Sequence, residues 1–174
     1  MRIVSGKYKG FIIQAPKLIP ARPTTDRSKE SLFNILNNQI ELEGLKVLDL
    51  FSGTGNMAYE FASRGATEVT SVDLNYHAFQ FIKETFKKLG FPAKVVKGNA
   101  LQFIAKSTEQ YDLVFADPPY AMPELSSIPD RVFESTLLKP DGMLILEHAS
   151  QTVVQHERMV DQRIYGQSTF SFFK

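Results

Sequence analysis

Lys46-Val47-Leu48-Asp49-Leu50-Phe51-Ser52-Gly53-Thr54-Gly55 runs from a short apolar stretch into a loop that carries two glycines. The first five residues have the length and composition of a buried strand. Gly53 and Gly55 allow a tight turn and a close approach of backbone to ligand, and residues from about Asn56 to Arg64 continue as a helix. A strand that breaks at glycines and resumes as a helix opens a βαβ unit with its ligand at the turn. Ala58 stands where the dinucleotide fingerprint has its third glycine, a replacement that fingerprint tolerates, so the spacing leaves NAD open. Asp49, just ahead of the loop, suits a cationic amino-acid tail better than a pyrophosphate. With Phe51, Gly53 and Gly55 it forms one end of a candidate cofactor site.

The same alternation continues downstream. Residues 68–73 read as a second strand ending in Asp73, 76–89 as a helix closed by Gly90, and 93–97 as a third strand ended by Gly98. A short helix over 100–106 precedes a fourth, nearly continuous apolar strand at 111–116. A helix within 123–138 and a fifth strand at 142–147 follow, then two strands near 159–165 and 168–173 joined at Gly166-Gln167. Helical crossovers imply right-handed βαβ units and a mainly parallel sheet, whereas the tight final turn forces an antiparallel pair. The expected fold is a doubly wound, Rossmann-like α/β sheet with an antiparallel C-terminal hairpin. Ligands of such sheets sit beyond the carboxyl ends of the strands, where Asp49, Asp73, Asn99 and Asp117 all fall. Asp73 can accept ribose hydroxyls, and Asn99 with Ala100 can read an adenine edge or merely cap the next helix.

Upstream, Arg2 to Ala15 reads as a β-hairpin around Gly6 and Gly10, Pro16, Pro20 and Pro23 as an extended linker, and 26–38 as a helix capped from Thr24-Thr25-Asp26. Residues 1–40 are therefore expected as a small extension packed on the same unit as a main domain over 41–174. The net charge is only +1, but residues 1–31 hold seven basic side chains against Asp26 and Glu30, leaving the remainder acidic. A basic arm on an acidic body fits a nucleic-acid partner or a solvated hairpin face. The chain has no cysteine, which excludes disulfides and thiol nucleophiles, and 43% hydrophobic residues, enough for a core in 174 residues. With no signal-peptide pattern and no apolar run of membrane-spanning length, a soluble, cytoplasmic protein without membrane contact is expected. His77, His148 and His156 lack metal-ligand spacing, so no metal is expected. A monomer is expected because no apolar helix face is left over.

Asp117-Pro118-Pro119-Tyr120 is the most specific string in the chain. Consecutive prolines fix two φ angles and remove two amide donors, leaving carbonyl oxygens on a rigid loop. A carboxylate beside such a carbonyl can accept both N–H bonds of an exocyclic amine, and Tyr120 offers a face on which a base can stack. The base must be single-stranded or extruded to reach it. Taken alone, the string could also be a strand-terminating turn with Tyr120 in the core.

Together, Val47–Gly55, Asp73, Asn99 and Asp117–Tyr120 resemble the ordered motifs of class I amino-methyltransferases. Arg2-Ile3-Val4-Ser5-Gly6, Lys9-Gly10 and Arg22-Pro23-Thr24-Thr25-Asp26-Arg27 narrow the resemblance to bacterial 16S ribosomal RNA guanine-N2 methyltransferases of the RsmD type, over essentially the whole length. That resemblance implies S-adenosylmethionine at Asp49, Phe51, Gly53, Gly55, Asp73, Asn99 and Ala100. It implies the target amine at Asp117 and Pro118 with the guanine against Tyr120. Ribosomal RNA, on an assembled or assembling small subunit, would meet Lys7, Lys9, Arg22, Thr24 and Arg27. The rivals are an adenine-N6 or glutamine-N5 methyltransferase, an NAD-dependent oxidoreductase, and an RNA-binding module without catalysis. The first lacks a recognition domain for DNA, the second leaves the proline loop unexplained, and the third leaves a full set of cofactor and catalytic strings without use.

Overall fold

The inner parallel strands are largely apolar and are buried on both faces by helices that follow from the same alternation, whereas the edge strand Lys94–Lys97 is only partly covered. In the computed structural model, which describes residues 1–20 and 25–174, the parallel strands are β1 (Lys46–Leu50), β2 (Glu68–Asp73), β3 (Lys94–Lys97), β4 (Tyr111–Ala116) and β5 (Leu138–Ala149). β6 (Met159–Tyr165) and β7 (Ser168–Phe173) form the expected antiparallel hairpin. The order across the sheet is β3-β2-β1-β4-β5-β7-β6, so β7 is inserted between β5 and β6 and runs antiparallel to both. The order reverses between β1 and β4, which places the switch point, and hence the ligand crevice, at the ends of those two strands.

Helices α1 (Asp26–Asn37), α2 (Asn56–Ser63), α3 (Tyr76–Leu89), α4 (Ala100–Lys106) and α5 (Ile128–Glu134) lie within the expected spans, the last preceded by a 3₁₀ turn at Leu125–Ser127. Their starts follow their caps: Thr25, Asn75 and Asn99 side chains each accept a backbone N–H of the turn that follows. Gly90, left-handed at φ +67°, ends α3.

Two apolar clusters sandwich the sheet. One joins α1, α2 and α3 with Val47, Val69, Phe115, Ile145 and Phe170; the other joins α4 and α5 with Leu48, Val72, Val114, Leu146 and Phe173. The strand residues alternate between them, as the pleat requires. Each buried Phe or Leu contributes roughly 1.5–3 kcal/mol.

Two local expectations are revised. The N-terminal hairpin keeps its outline through Ile3 N–H to Phe11 O (3.0 Å) and Gly10 N–H to Ile3 O (2.9 Å), but its ladder is a single bridge, Arg2 to Ile12. The amides of Val4, Ser5, Lys7 and Tyr8 pair with α2 instead. β5 begins at Leu138, four residues early, because Leu138 pairs with Tyr111 before an irregular step, with Asp141 at φ +65°, brings Met143 opposite Leu113. Glu147 and His148, near the end of β5, are buried beside the inserted β7, and His148 Nε2 lies 2.8 Å from Ser171 Oγ.

Candidate active site

A cleft of about 910 Å³ opens at the carboxyl ends of β1, β2 and β4. Asp49, Phe51, Gly53, Asp73, Asn99, Ala100, Asp117, Pro118 and Tyr120 line it, so these sequence-derived candidates meet in one place. Gly55 does not line it. Its φ of +77° turns the chain into α2, and a Cβ there would lie 2.6 Å from the Tyr59 ring, so the glycine is required by the turn and by packing behind the cleft.

The β1–α2 loop is tightly determined. Phe51, a non-glycine residue, adopts φ +61°, which marks strain held at a ligand-facing turn. Ser52 Oγ donates to Asp49 O (2.7 Å) and accepts from Val72 N–H (3.1 Å), clamping the loop to β2. Gly53 N–H donates to Asp73 Oδ2 (2.7 Å), and Asn75 N–H donates to Asp73 Oδ1 (2.8 Å). Each Asp73 oxygen keeps a second lone pair, so a pair of vicinal hydroxyls can be bound without breaking these contacts. Asn99 does cap α4, with Oδ1 accepting from Gln102 N–H at 3.1 Å, and it also lines the cleft. Here the capping and ligand readings are compatible.

Asp49 is 1% exposed and its Oδ2 has no hydrogen-bond partner. Burial, reinforced by the nearby Asp73 charge and opposed by Ser52 and the Ala58 amide, pushes its pKa up to about 8. A buried carboxylate facing a cleft with a vacant lone pair fits an ammonium group. The residues present therefore suit a donor with a cationic amino-acid tail, a ribose at Asp73 and a flat ring between Leu74 and the Asn99–Ala100 turn, all of which line the same cleft.

On the opposite wall, Asp117 N–H donates to Leu50 O at 3.3 Å, tying the proline loop to the end of β1. Pro118 is buried, Asp117 is half-buried, and Met122 N–H caps Pro119 O at 2.9 Å. Tyr120 Oη lies 2.8 Å from Ser168 Oγ of β7, which fixes the ring at the cleft mouth. The Pro/Ser-rich segment after the loop folds back, with Met122 lining the cleft and Leu125 and Ile128 buried beneath it.

Lys7, Lys9 and Arg27 are exposed, while Arg22 and Thr24 lie outside the described residues. The extension is held on α2 by groups that no local pattern distinguishes. Lys29 and Glu60, both 0% exposed, pair at 3.1 Å. Glu60 accepts from Val4 N–H (2.9 Å) and Ser5 N–H (3.0 Å) and pairs with Arg64 (2.8 Å), and Lys29 donates to Arg2 O (2.6 Å) and Asn56 Oδ1 (2.8 Å). Tyr8 N–H donates to Ser63 Oγ at 2.9 Å. All eight residues of α2 are buried as a result. Among the described residues no group of three or more His, Asp or Glu side chains could hold a metal ion, and no helix is long and apolar enough to cross a membrane.

An all-parallel dinucleotide-binding sheet lacks an antiparallel strand wedged between its last two positions. Fold and site together define a class I, Rossmann-like, S-adenosylmethionine-dependent methyltransferase. The family model described as Conserved hypothetical protein 95 matches residues 1–174, and the chain belongs to that family, the RsmD type. Ribosomal RNA small subunit methyltransferase D of Escherichia coli (strain K12) is 27% identical over 179 residues, spanning 100% of this chain and 89% of that protein. The protein of the same name from Buchnera aphidicola subsp. Baizongia pistaciae (strain Bp) is 31% identical over 148 residues, 84% of this chain and 75% of that one. The solved structure of a hypothetical protein from Thermus thermophilus superposes with a TM-score of 0.88 at 27% identity, covering 100% of this chain and 99% of that one.

Proposed function

We propose that this protein transfers a methyl group from S-adenosylmethionine to the exocyclic N2 amine of a guanosine in small-subunit (16S) ribosomal RNA. The observation that carries this reading is the juxtaposition, across one cleft, of a buried Asp49 and a ribose-ready Asp73 with the Asp117-Pro118-Pro119-Tyr120 loop. When bound, the donor supplies an electrophilic methyl group on a sulfonium. The chain supplies the rest. Asp117 and the adjoining carbonyl of Pro118 accept the two N–H bonds of the amine, whose lone pair is otherwise delocalised into the base. Holding both hydrogens draws the nitrogen toward tetrahedral geometry and frees the lone pair to attack in line. Carbon–sulfur cleavage then leaves a neutral thioether, and the new ammonium gives up one proton toward Asp117 and solvent. Positioning and preorganised charge account for the rate. Tyr120, anchored through Ser168, stacks the base against the loop. Exposed Lys7, Lys9 and Arg27 supply phosphate contacts, with Arg22 and Thr24 continuing that track along the sequence.

The names of the relatives support small-subunit ribosomal RNA as the substrate; the nitrogen and the base are read from the loop chemistry and the N-terminal strings. The test is transfer of labelled methyl to small subunits that lack this modification, followed by nucleoside analysis. Label in N2-methylguanosine is the expected result. Label in N6-methyladenosine would keep the loop chemistry and overturn the base assignment, and label in glutamine of a subunit protein would overturn the RNA assignment.

A further inference from the structure

Charge is uneven within the acidic body as well. Residues 76–106 hold six lysines, at 83, 87, 88, 94, 97 and 106, against the single acid Glu84. They lie on α3, the edge strand β3 and α4, which the fold gathers at one side of the sheet. Lys94 pairs with Glu109. The other five are exposed and, among the described residues, take part in no salt bridge. Lys87 and Lys88 occupy the last turn of α3 and Lys106 that of α4, where a cation complements the helix end. Lys83 and Lys97 have no helix end to complement.

Each of these two lies over an aromatic ring instead. Lys97 Nζ is 5.9 Å from the centroid of Tyr76, and Lys83 Nζ is 5.9 Å from that of Phe79. Tyr76 is 53% exposed, and Gln80 Nε2 donates to its hydroxyl at 2.9 Å, which ties the ring to α3. The surface begins at the rim of the cleft: Leu74 and Asn75, just before Tyr76, and Gly98, just after Lys97, all line it. Gly98 and Asn99 also border an open groove of about 390 Å³ that Lys94 and Lys106 line. A single nucleic-acid strand uses both parts of such a surface, cations for its phosphates and a fixed ring for a base. An acidic protein would use the cations and leave the ring in water. We propose that the α3–β3 edge is a second RNA surface, distinct from the N-terminal segment. On it Tyr76 stacks a base of the strand flanking the target nucleotide, and Lys83 and Lys97 hold its phosphates.

This inference rests on ribosomal RNA as the substrate but not on which base is methylated. Filter-binding titrations compare protein-free small-subunit RNA with small subunits lacking the modification, and calorimetry follows S-adenosylhomocysteine as a check on the neighbouring donor site. Lys83→Gln/Lys97→Gln should flatten the slope of log affinity for the RNA against log salt by roughly 1.4. Tyr76→Ala should weaken RNA binding roughly fivefold to a hundredfold with the slope unchanged, whereas Tyr76→Phe, which keeps the ring, should stay within about twofold. All three variants should bind S-adenosylhomocysteine as the wild type does. An unchanged slope in the lysine pair, or unchanged RNA affinity in Tyr76→Ala, would overturn the proposal. So would a parallel loss of S-adenosylhomocysteine, which would assign Tyr76 to the shape of the donor site. Losses on small subunits with none on protein-free RNA would assign the surface to a protein of the particle. A wild-type chain that binds neither RNA nor small subunits would overturn the RNA reading itself.

Discussion

At the residue scale, Asp49 and Asp117 carry opposite burdens in one cleft. In the proposed reaction Asp117 acts on the acceptor, so Asp117→Ala should bind S-adenosylhomocysteine as the wild type does and lose at least roughly a hundredfold in methyl transfer. Near-normal turnover by that variant would sink the two-acceptor clamp. In the same proposal Asp49 acts on the donor, and its raised pKa of about 8 has a definite sign. Between its ordinary value and about 8 the folded chain holds a proton that the unfolded chain has lost, so Asp49's contribution to stability falls as pH rises through that window. Donor binding works the other way, because an incoming ammonium favours the carboxylate and expels the proton. Below pH 8, S-adenosylhomocysteine binding should therefore release protons, and affinity should rise toward pH 8. Calorimetry in buffers of different ionisation enthalpy measures this. Binding heats that do not depend on the buffer, or an unchanged proton count in Asp49→Asn, would refute it. Both aspartates were legible as residues, since each stands at the carboxyl end of an apolar strand. The strain at Phe51 was not, because nothing in a Phe-Ser-Gly string says which residue takes the positive φ.

At the scale of elements, the decisive relation is between the N-terminal segment and α2. Gly6, at φ +82°, passes so close to Ser63 that a Cβ would sit 1.8 Å from the Ser63 carbonyl oxygen. Gly6→Ala combines backbone strain with a backbone clash and should cost about 2 kcal/mol or more, roughly 5 °C in thermal unfolding. An unshifted Tm would mean the segment is not seated on α2 in solution. The sequence made the helices and strands readable because their periods and caps are local, as with Asn75 before α3 and Gly90 after it. It did not make α2's full burial readable. Glu60 and Lys29 are 31 positions apart, and a charge on a short helix is ordinarily solvated. Only the tertiary fold reveals that they neutralise one another. The shortened hairpin has the same origin, since amides expected to pair across it pair with Glu60 and Ser63 instead.

For the whole molecule, charge is segregated, with Lys7, Lys9 and Arg27 exposed on the N-terminal segment and α1 and acidic residues in the described lining of the cleft. RNA affinity should therefore fall steeply with salt. Each lysine that meets a phosphate contributes about 0.7 to the slope of log affinity against log salt for a single strand. Lys7→Ala/Lys9→Ala should flatten that slope by roughly 1.4 in filter-binding titrations. An unchanged slope would move the RNA contact elsewhere. The sheet order has a consequence of another kind. β7 lies between β5 and β6 although it is later in the chain than both. During vectorial synthesis β6 emerges with no neighbour to join, and the open edge of β5 stays bare until residues 168–173 have cleared the exit tunnel. Tyr120 gains its contact with the Ser168 hydroxyl only then. The wall of the cleft that carries Tyr120 is thus fastened by the strand that is made last and paired in the middle, so its ordering is coupled to closure of the sheet.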